Sequence, residues 1–230
     1  MLGLNREMLF RDNRESYGQL LRRLSLAAAA ILAVSSARAD SDEDNRAAML
    51  ALTPQGVCDL VQVKDDDLDT IATFSSSNAF HLKHGFFSDS DFHPFLRAFI
   101  DKRSGATTFQ VYEHTLYSDT SWRFYNSATY ATAAGPVASA VTVIDREVNS
   151  CDAYGECSYT EDIAFDVPEA TLRAIAASYT PNTLNLWLFK FGAHSGDDLK
   201  DGLMPAEVAG LLMAVDHYRQ THSIAATPKP

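Results

Sequence analysis

Apolar residues alternate with polar ones along much of residues 60–191, the period of strands that bury one face. Residues 60–63 and 70–74 read as strands on either side of the turn Asp65-Asp66-Asp67. Residues 94–100 and 107–117 flank Lys102-Arg103-Ser104-Gly105, a hairpin loop. Residues 122–131 and 137–148 flank the turn at Gly135-Pro136, and 158–167 form a further strand with Ile163, Phe165 and Val167 on one side. In 184–191 both faces are apolar: Leu184, Leu186 and Leu188 on one, Trp187, Phe189 and Phe191 on the other. That pattern predicts a central strand buried on both sides.

The period changes to that of a helix in two places. Asp166-Val167-Pro168-Glu169 reads as a helix start, with Asp166 as cap, and Leu172, Ile175, Ala176 and Tyr179 follow at helical spacing. Val208, Leu211, Leu212 and Val215 form one face of a second helix beginning near Pro205. Asp197 to Gly202 reads as a turn into it. The fold class expected is therefore α+β and β-rich. It is a mainly antiparallel sheet or β-sandwich-like body with two helices, at about 168–179 and 205–219.

The N-terminal segment does not belong to this pattern. Residues 1–39 carry six Arg, an apolar run at 24–34, and Ala37-Arg38-Ala39, with small residues where a signal peptidase reads. They read as a signal peptide, with a mature start at Asp40. The run is well short of the roughly 20 residues of a membrane span, so no integral membrane segment is expected after cleavage. Arg22-Arg23-Leu24-Ser25-Leu26 matches a twin-arginine signal in part. Residues 40–56 read as an acidic leader interrupted at Pro54 and Gly56, 57–220 as one globular domain, and 221–230 as a disordered tail. The expected location is periplasmic or extracellular.

Charge and cysteine content sharpen this picture. The chain carries a net charge of −11, and the signal segment holds six Arg against three acids, so the mature part is three charges more negative. Such a surface repels phosphate backbones, and nucleic acid is excluded as a partner. Cys151 and Cys157 enclose a turn-like loop and are expected to form a disulfide in an oxidising compartment, leaving Cys58 over.

The richest polar stretch, 81–93, holds His81, His84, Asp89, Asp91 and His93, residue types that ligate divalent metals. It has no diagnostic ligand spacing and lacks the paired His with a built-in Glu. Residues 197–202 fail as a calcium loop because Leu199 and Val208 stand where oxygen ligands are needed. Gly192-Ala193-His194-Ser195-Gly196 misplaces its Ser for a nucleophile elbow. Tyr112, Tyr117, Trp122, Tyr125 and Tyr130 are expected mainly in the core. Arg123, Arg146 and Arg173 are expected as ion-pair partners of the many acids.

With no catalytic constellation, the leading expectation is a non-enzymatic exported domain that binds a partner protein, an envelope component or a small ligand. The alternatives are a metal-dependent hydrolase built on residues 81–93 and a structural or stress-related envelope protein. Metal content and the direction of those His and Asp side chains discriminate the first two.

Overall fold

The alternating segments do form strands, and hairpin turns join most of them. The computed structural model describes residues 43–80, 90–224 and 227–228. The chain divides into two units, 1–45 and 46–230, and the architecture below is that of the second, whose first helix begins three residues before the boundary. Its elements, in chain order, are α1 (residues 43–51), α2 (Pro54–Leu60), β1 (Gln62–Lys64), β2 (Ile71–Ser75), β3 (Ser90–Asp101), β4 (Ala106–Asp119), β5 (Tyr125–Thr132), β6 (Gly135–Cys151) and β7 (Cys157–Asp166). They continue as α3 (Glu169–Ala177), β8 (Trp187–Ala193), β9 (Leu199–Leu203), α4 (Pro205–Thr221) and β10 (Thr227–Pro228).

The first nine strands make one antiparallel sheet in the order β1-β2-β3-β4-β7-β6-β5-β8-β9, curled into a half-barrel. The short β10 pairs in parallel with the start of β4. Curvature gives the sheet an inner face, and alternation decides which residues occupy it. Leu96, Ala98 and Ile100 of β3, Phe109 and Val111 of β4, Ile163 and Phe165 of β7, and Phe189 and Phe191 of β8 all lie there, buried. The same core takes in Val208, Leu211, Leu212 and Val215 of α4, which packs on β2 and β3 between α2 and α3. Tyr117, Tyr125 and Tyr130 are buried in it as well.

Several local expectations need correction. A break does fall here, at residues 52–53 between α1 and α2, but Pro54 and Gly56 themselves lie inside a helix. Thr53 caps α2 by accepting the Gly56 N–H at 3.1 Å, and Pro54 stands at the helix start, where its missing N–H costs nothing. Asp166 does not cap α3; its Oδ1 accepts Gln110 Nε2 at 2.9 Å across the sheet, and Pro168 occupies the cap position. Residues 199–203 are a strand, β9, not a turn. Their Lys-Asp-Gly composition has little strand propensity, so pairing with β8 imposes the conformation. Nor is β8 buried on both faces. Trp187, Phe189 and Phe191 are inside, but Leu186 and Leu188 are 42% and 57% exposed.

Cys151 and Cys157 face each other at the loop end of the β6–β7 hairpin and are joined in a disulfide. Cys58 is a free, half-buried thiol on α2. Where α2 meets α4, the contact depends on a missing side chain. A Cβ on Gly210 would lie 2.5 Å from Val57 Cβ and 2.8 Å from the Pro54 carbonyl oxygen. Gly210→Ala is therefore expected to destabilise the fold by about 1–3 kcal/mol through overpacking. Urea unfolding measures it. If Gly210→Ala instead stabilises, as helix propensity alone predicts, the close approach is wrong.

Candidate functional site

Two places in the half-barrel carry polar or apolar groups that packing alone does not account for. The first is inside. On β4 the inward row continues past Phe109 and Val111 to Glu113, Thr115 and Tyr117, and on β7 it includes Glu161. Thr115 pairs with Glu161 in the ladder, so these polar groups adjoin.

Glu161, fully buried, is a hub. Its Oε1 accepts the Tyr117 hydroxyl at 2.6 Å and the Phe124 N–H at 3.0 Å, and its Oε2 accepts Arg146 Nε at 2.8 Å. The Tyr117 oxygen in turn accepts the Arg123 N–H at 2.9 Å. Together they pin the segment before β5, where Phe124 has a φ of 52°, a conformation unfavourable for an aromatic residue.

Glu113 has no such partners. Both its carboxyl oxygens are buried without a hydrogen bond. Burial, and next the charge of Asp201 on β9, push its pKa well above the carboxylate range, with the His93 backbone N–H opposing them. Glu207, in the first turn of α4, accepts the Met204 N–H at 2.8 Å. Burial raises its pKa to about 8, with the Met204 N–H opposing and Asp201 adding to the rise. A cavity of about 60 Å³ lined by His93, Pro94, Asp201, Met204 and Glu207 adjoins them. That is room for a few water molecules and not for a substrate. The interior acids thus have shifted pKa values without a place for a reactant.

The second place is the outer face of β5, β8 and β9, opposite the core. Alternation puts Thr129, Ala131, Leu188, Lys190, Lys200 and Gly202 there, lining a hollow of about 540 Å³. A second hollow of about 760 Å³ adjoins it, toward Ala133, Ala134, Ala170, Ala174 and Ile175. The two share Ala131, Thr132, Leu186 and Leu188. Both are shallow and widely open to solvent, grooves rather than enclosed cavities. The trough exists because the residues around the leucines are small. At Gly202 a Cβ would meet the Trp187 carbonyl oxygen at 2.9 Å and Leu188 Cδ2 at 3.1 Å.

The metal-ligand candidates are only partly within view. His81, His84 and Asp89 lie outside the described residues. Asp91 and His93 are on β3, opposite Leu116 and His114. Among the described residues no group of three or more His, Cys, Asp or Glu is placed to hold a metal. Cys58 is not an activated thiol: burial first, then Asp59, raise its pKa. Arg146 pairs with Glu161, and Arg173 with Glu169 and Asp216, as acid partners. Arg123 lies near Asp119, with Nε 3.7 Å from a carboxylate oxygen.

Sequence reasoning missed both places. The outer trough had a trace in the Leu184-Leu186-Leu188 alternation, which was read as a second buried face. The interior acids had none, because Glu113 and Glu161 look like any polar residue in an alternating strand. No known protein-family model matches the chain, and neither a curated protein nor a solved structure does. Among the described residues no helix is long and apolar enough to cross a membrane.

Proposed function

We propose that this protein is an exported, non-enzymatic domain that binds an apolar small ligand in the trough on the outer face of β5, β8 and β9. The observation that carries the reading is the pair Leu186 and Leu188, 42% and 57% exposed in a trough walled by small residues. Core packing leaves these leucines uncovered, and a ligand that covers them removes apolar area from water at about 25 cal/mol per Å². The shape supports binding rather than catalysis. The shifted carboxyls are inside the half-barrel, and the accessible trough carries no nucleophile paired with a base. Export rests on residues 1–39, and the Cys151–Cys157 disulfide is compatible with an oxidising compartment.

Nile red, a neutral apolar dye, tests the trough. It should bind with enhanced emission, and Leu188→Asp should weaken binding by about tenfold or more, since covering a leucine side chain is worth about 1.5–3 kcal/mol. Leu188 points to solvent, so the variant should unfold at nearly the wild-type temperature. Absence of dye binding, or equal binding by a folded Leu188→Asp variant, overturns the reading. For export, N-terminal sequencing of the protein outside the cytoplasm should begin at Asp40, and a product that retains residues 1–39 contradicts the leader assignment.

A further inference from the structure

The trough has two chemically different ends, and the geometry points to a ligand that matches both: we infer that it takes a linear amphiphile with an acyl chain and a carboxylate head. This rests on the reading of the trough as a ligand site and adds the ligand's class.

The asymmetry follows from register. Lys190 of β8 is paired with Lys200 of β9 on one side and with Thr129 of β5 on the other. Two lysines therefore stand directly opposite each other on the outer face, an arrangement that repels in a sheet. It is also unexpected in composition, because this chain has 30 acidic residues and only 19 basic ones. Asp198 takes up one of the charges, with its Oδ2 2.7 Å from Lys190 Nζ. Lys200 is exposed, and Asp198, already bound to Lys190, acts on it only through space, so one carboxylate faces two ammonium groups. Asp201, next to it, has its Oδ1 on the Gly202 N–H and acts on Glu113 and Glu207.

The next rung along the strands is apolar. Leu188 pairs with Gly202, and beyond it Leu186 leads into the hollow beside α3. From Lys190 to Leu186 is four residues, about 13 Å at strand spacing. A cationic rung, then an uncovered apolar track, is the complement of an anionic head on an acyl tail. An anionic head at Lys200 relieves the lysine pair, and the tail covers Leu188 and Leu186. A neutral apolar ligand leaves the repulsion in place, and a cationic amphiphile increases it.

The experiment is displacement of Nile red from the full chain by dodecanoate, dodecanol and dodecyltrimethylammonium. The three share a tail and differ in head charge. Dodecanoate should displace the dye at about tenfold lower concentration than dodecanol, with the cation weakest, and added salt should narrow the gap. Lys200→Glu, at an exposed position, should erase or invert that order. Equal potency of all three, with dye still displaced, overturns the head-group inference and leaves the proposed function standing. Failure of all three to displace the bound dye overturns both. Co-sedimentation with anionic phospholipid vesicles without dodecanoate binding overturns the inference in favour of a membrane surface. Dimerisation on concentration that Leu188→Asp abolishes overturns it in favour of a second copy.

Discussion

Glu161→Ala lowers the free energy of unfolding by about 3 kcal/mol, read from urea titration at neutral pH. Three hydrogen bonds end on this one buried carboxylate, from Tyr117, Phe124 and Arg146. Truncation leaves the Tyr117 hydroxyl and the Phe124 N–H without an acceptor and removes the partner of the Arg146 guanidinium. The arginine is about a quarter exposed, with 27% of its side chain accessible, so water compensates part of its loss and the cost stays below that of a fully enclosed pair. Glu161→Gln should cost about half as much. Its amide oxygen still accepts from Tyr117 and Phe124, but its NH₂ then faces another donor on Arg146.

Tyr117→Phe, which removes the relay to the Arg123 N–H, should cost about 1 kcal/mol and should be non-additive with Glu161→Ala. The local consequence is as important as the global one. Phe124 holds its positive φ while its N–H is bound to Glu161. Amide exchange at 123 and 124 should accelerate more in Glu161→Ala than exchange in β4 or β7. A loss within about 0.5 kcal/mol, the size of an ordinary surface change, contradicts the role of Glu161 as the hub of this network.

The second large effect is a dependence of stability on pH that falls on the alkaline side. Glu207 has its folded-state pKa raised to about 8, and Glu113 is raised as well, both chiefly by burial. A carboxyl with a raised pKa holds its proton in the folded state after the unfolded chain has released it. Its contribution to stability is fully present below the ordinary value of 4.5 and is lost as pH rises through the folded-state value. For Glu207 the change between these limits is about 3–5 kcal/mol, at roughly 1.36 kcal/mol per pKa unit.

Glu207→Gln keeps an acceptor for the Met204 N–H and cannot ionise. It should match the wild type near pH 4.5 and exceed it by several kcal/mol near pH 8.5, measured as thermal unfolding across that range. Glu113→Met, which replaces an unpartnered acid by a side chain of similar volume, should stabilise at neutral pH by about 1–3 kcal/mol. On the acid side the sign reverses. Glu169 is held below its ordinary pKa, first by its hydrogen bond from Arg219 and then by Arg173, so its contribution is lost as pH falls through and below 4.5. Stability should therefore peak in the weakly acidic range. A flat profile from pH 5 to 8.5 in the wild type contradicts the buried state of both acids.

The strand segments were largely legible because alternation requires only local information. The segments around Tyr112, Ile163 and Phe189 each show period two, and each became a strand of the curled sheet. Val208, Leu211, Leu212 and Val215 showed the helix period, and all four are buried in α4. Failures came where a residue's partner is distant in sequence. Asp166 has the spelling of a helix cap, but Gln110 takes its carboxylate. Leu199 to Leu203 has no strand spelling and becomes β9 through β8. The inward strand positions at Glu113 and Glu161 invite a reading as surface, since alternation names a row without saying which face it occupies.

The sequence by itself determined the period of most elements, the antiparallel connectivity implied by short turns, and the pairing of Cys151 with Cys157 across one hairpin. All of these depend on neighbours within a few residues. Only the tertiary structure decided that the sheet curls around α4, that Glu113 shares one interior with Asp201 and Glu207 from the far end of the chain, and that Leu186 and Leu188 face outward. Those outcomes depend on which face of each strand the curvature encloses, a property of the whole sheet. The same reason explains the candidate site. Lys190 and Lys200 are ten positions apart in sequence and opposite each other in the sheet, and pairing between β8 and β9 alone makes them one end of a trough.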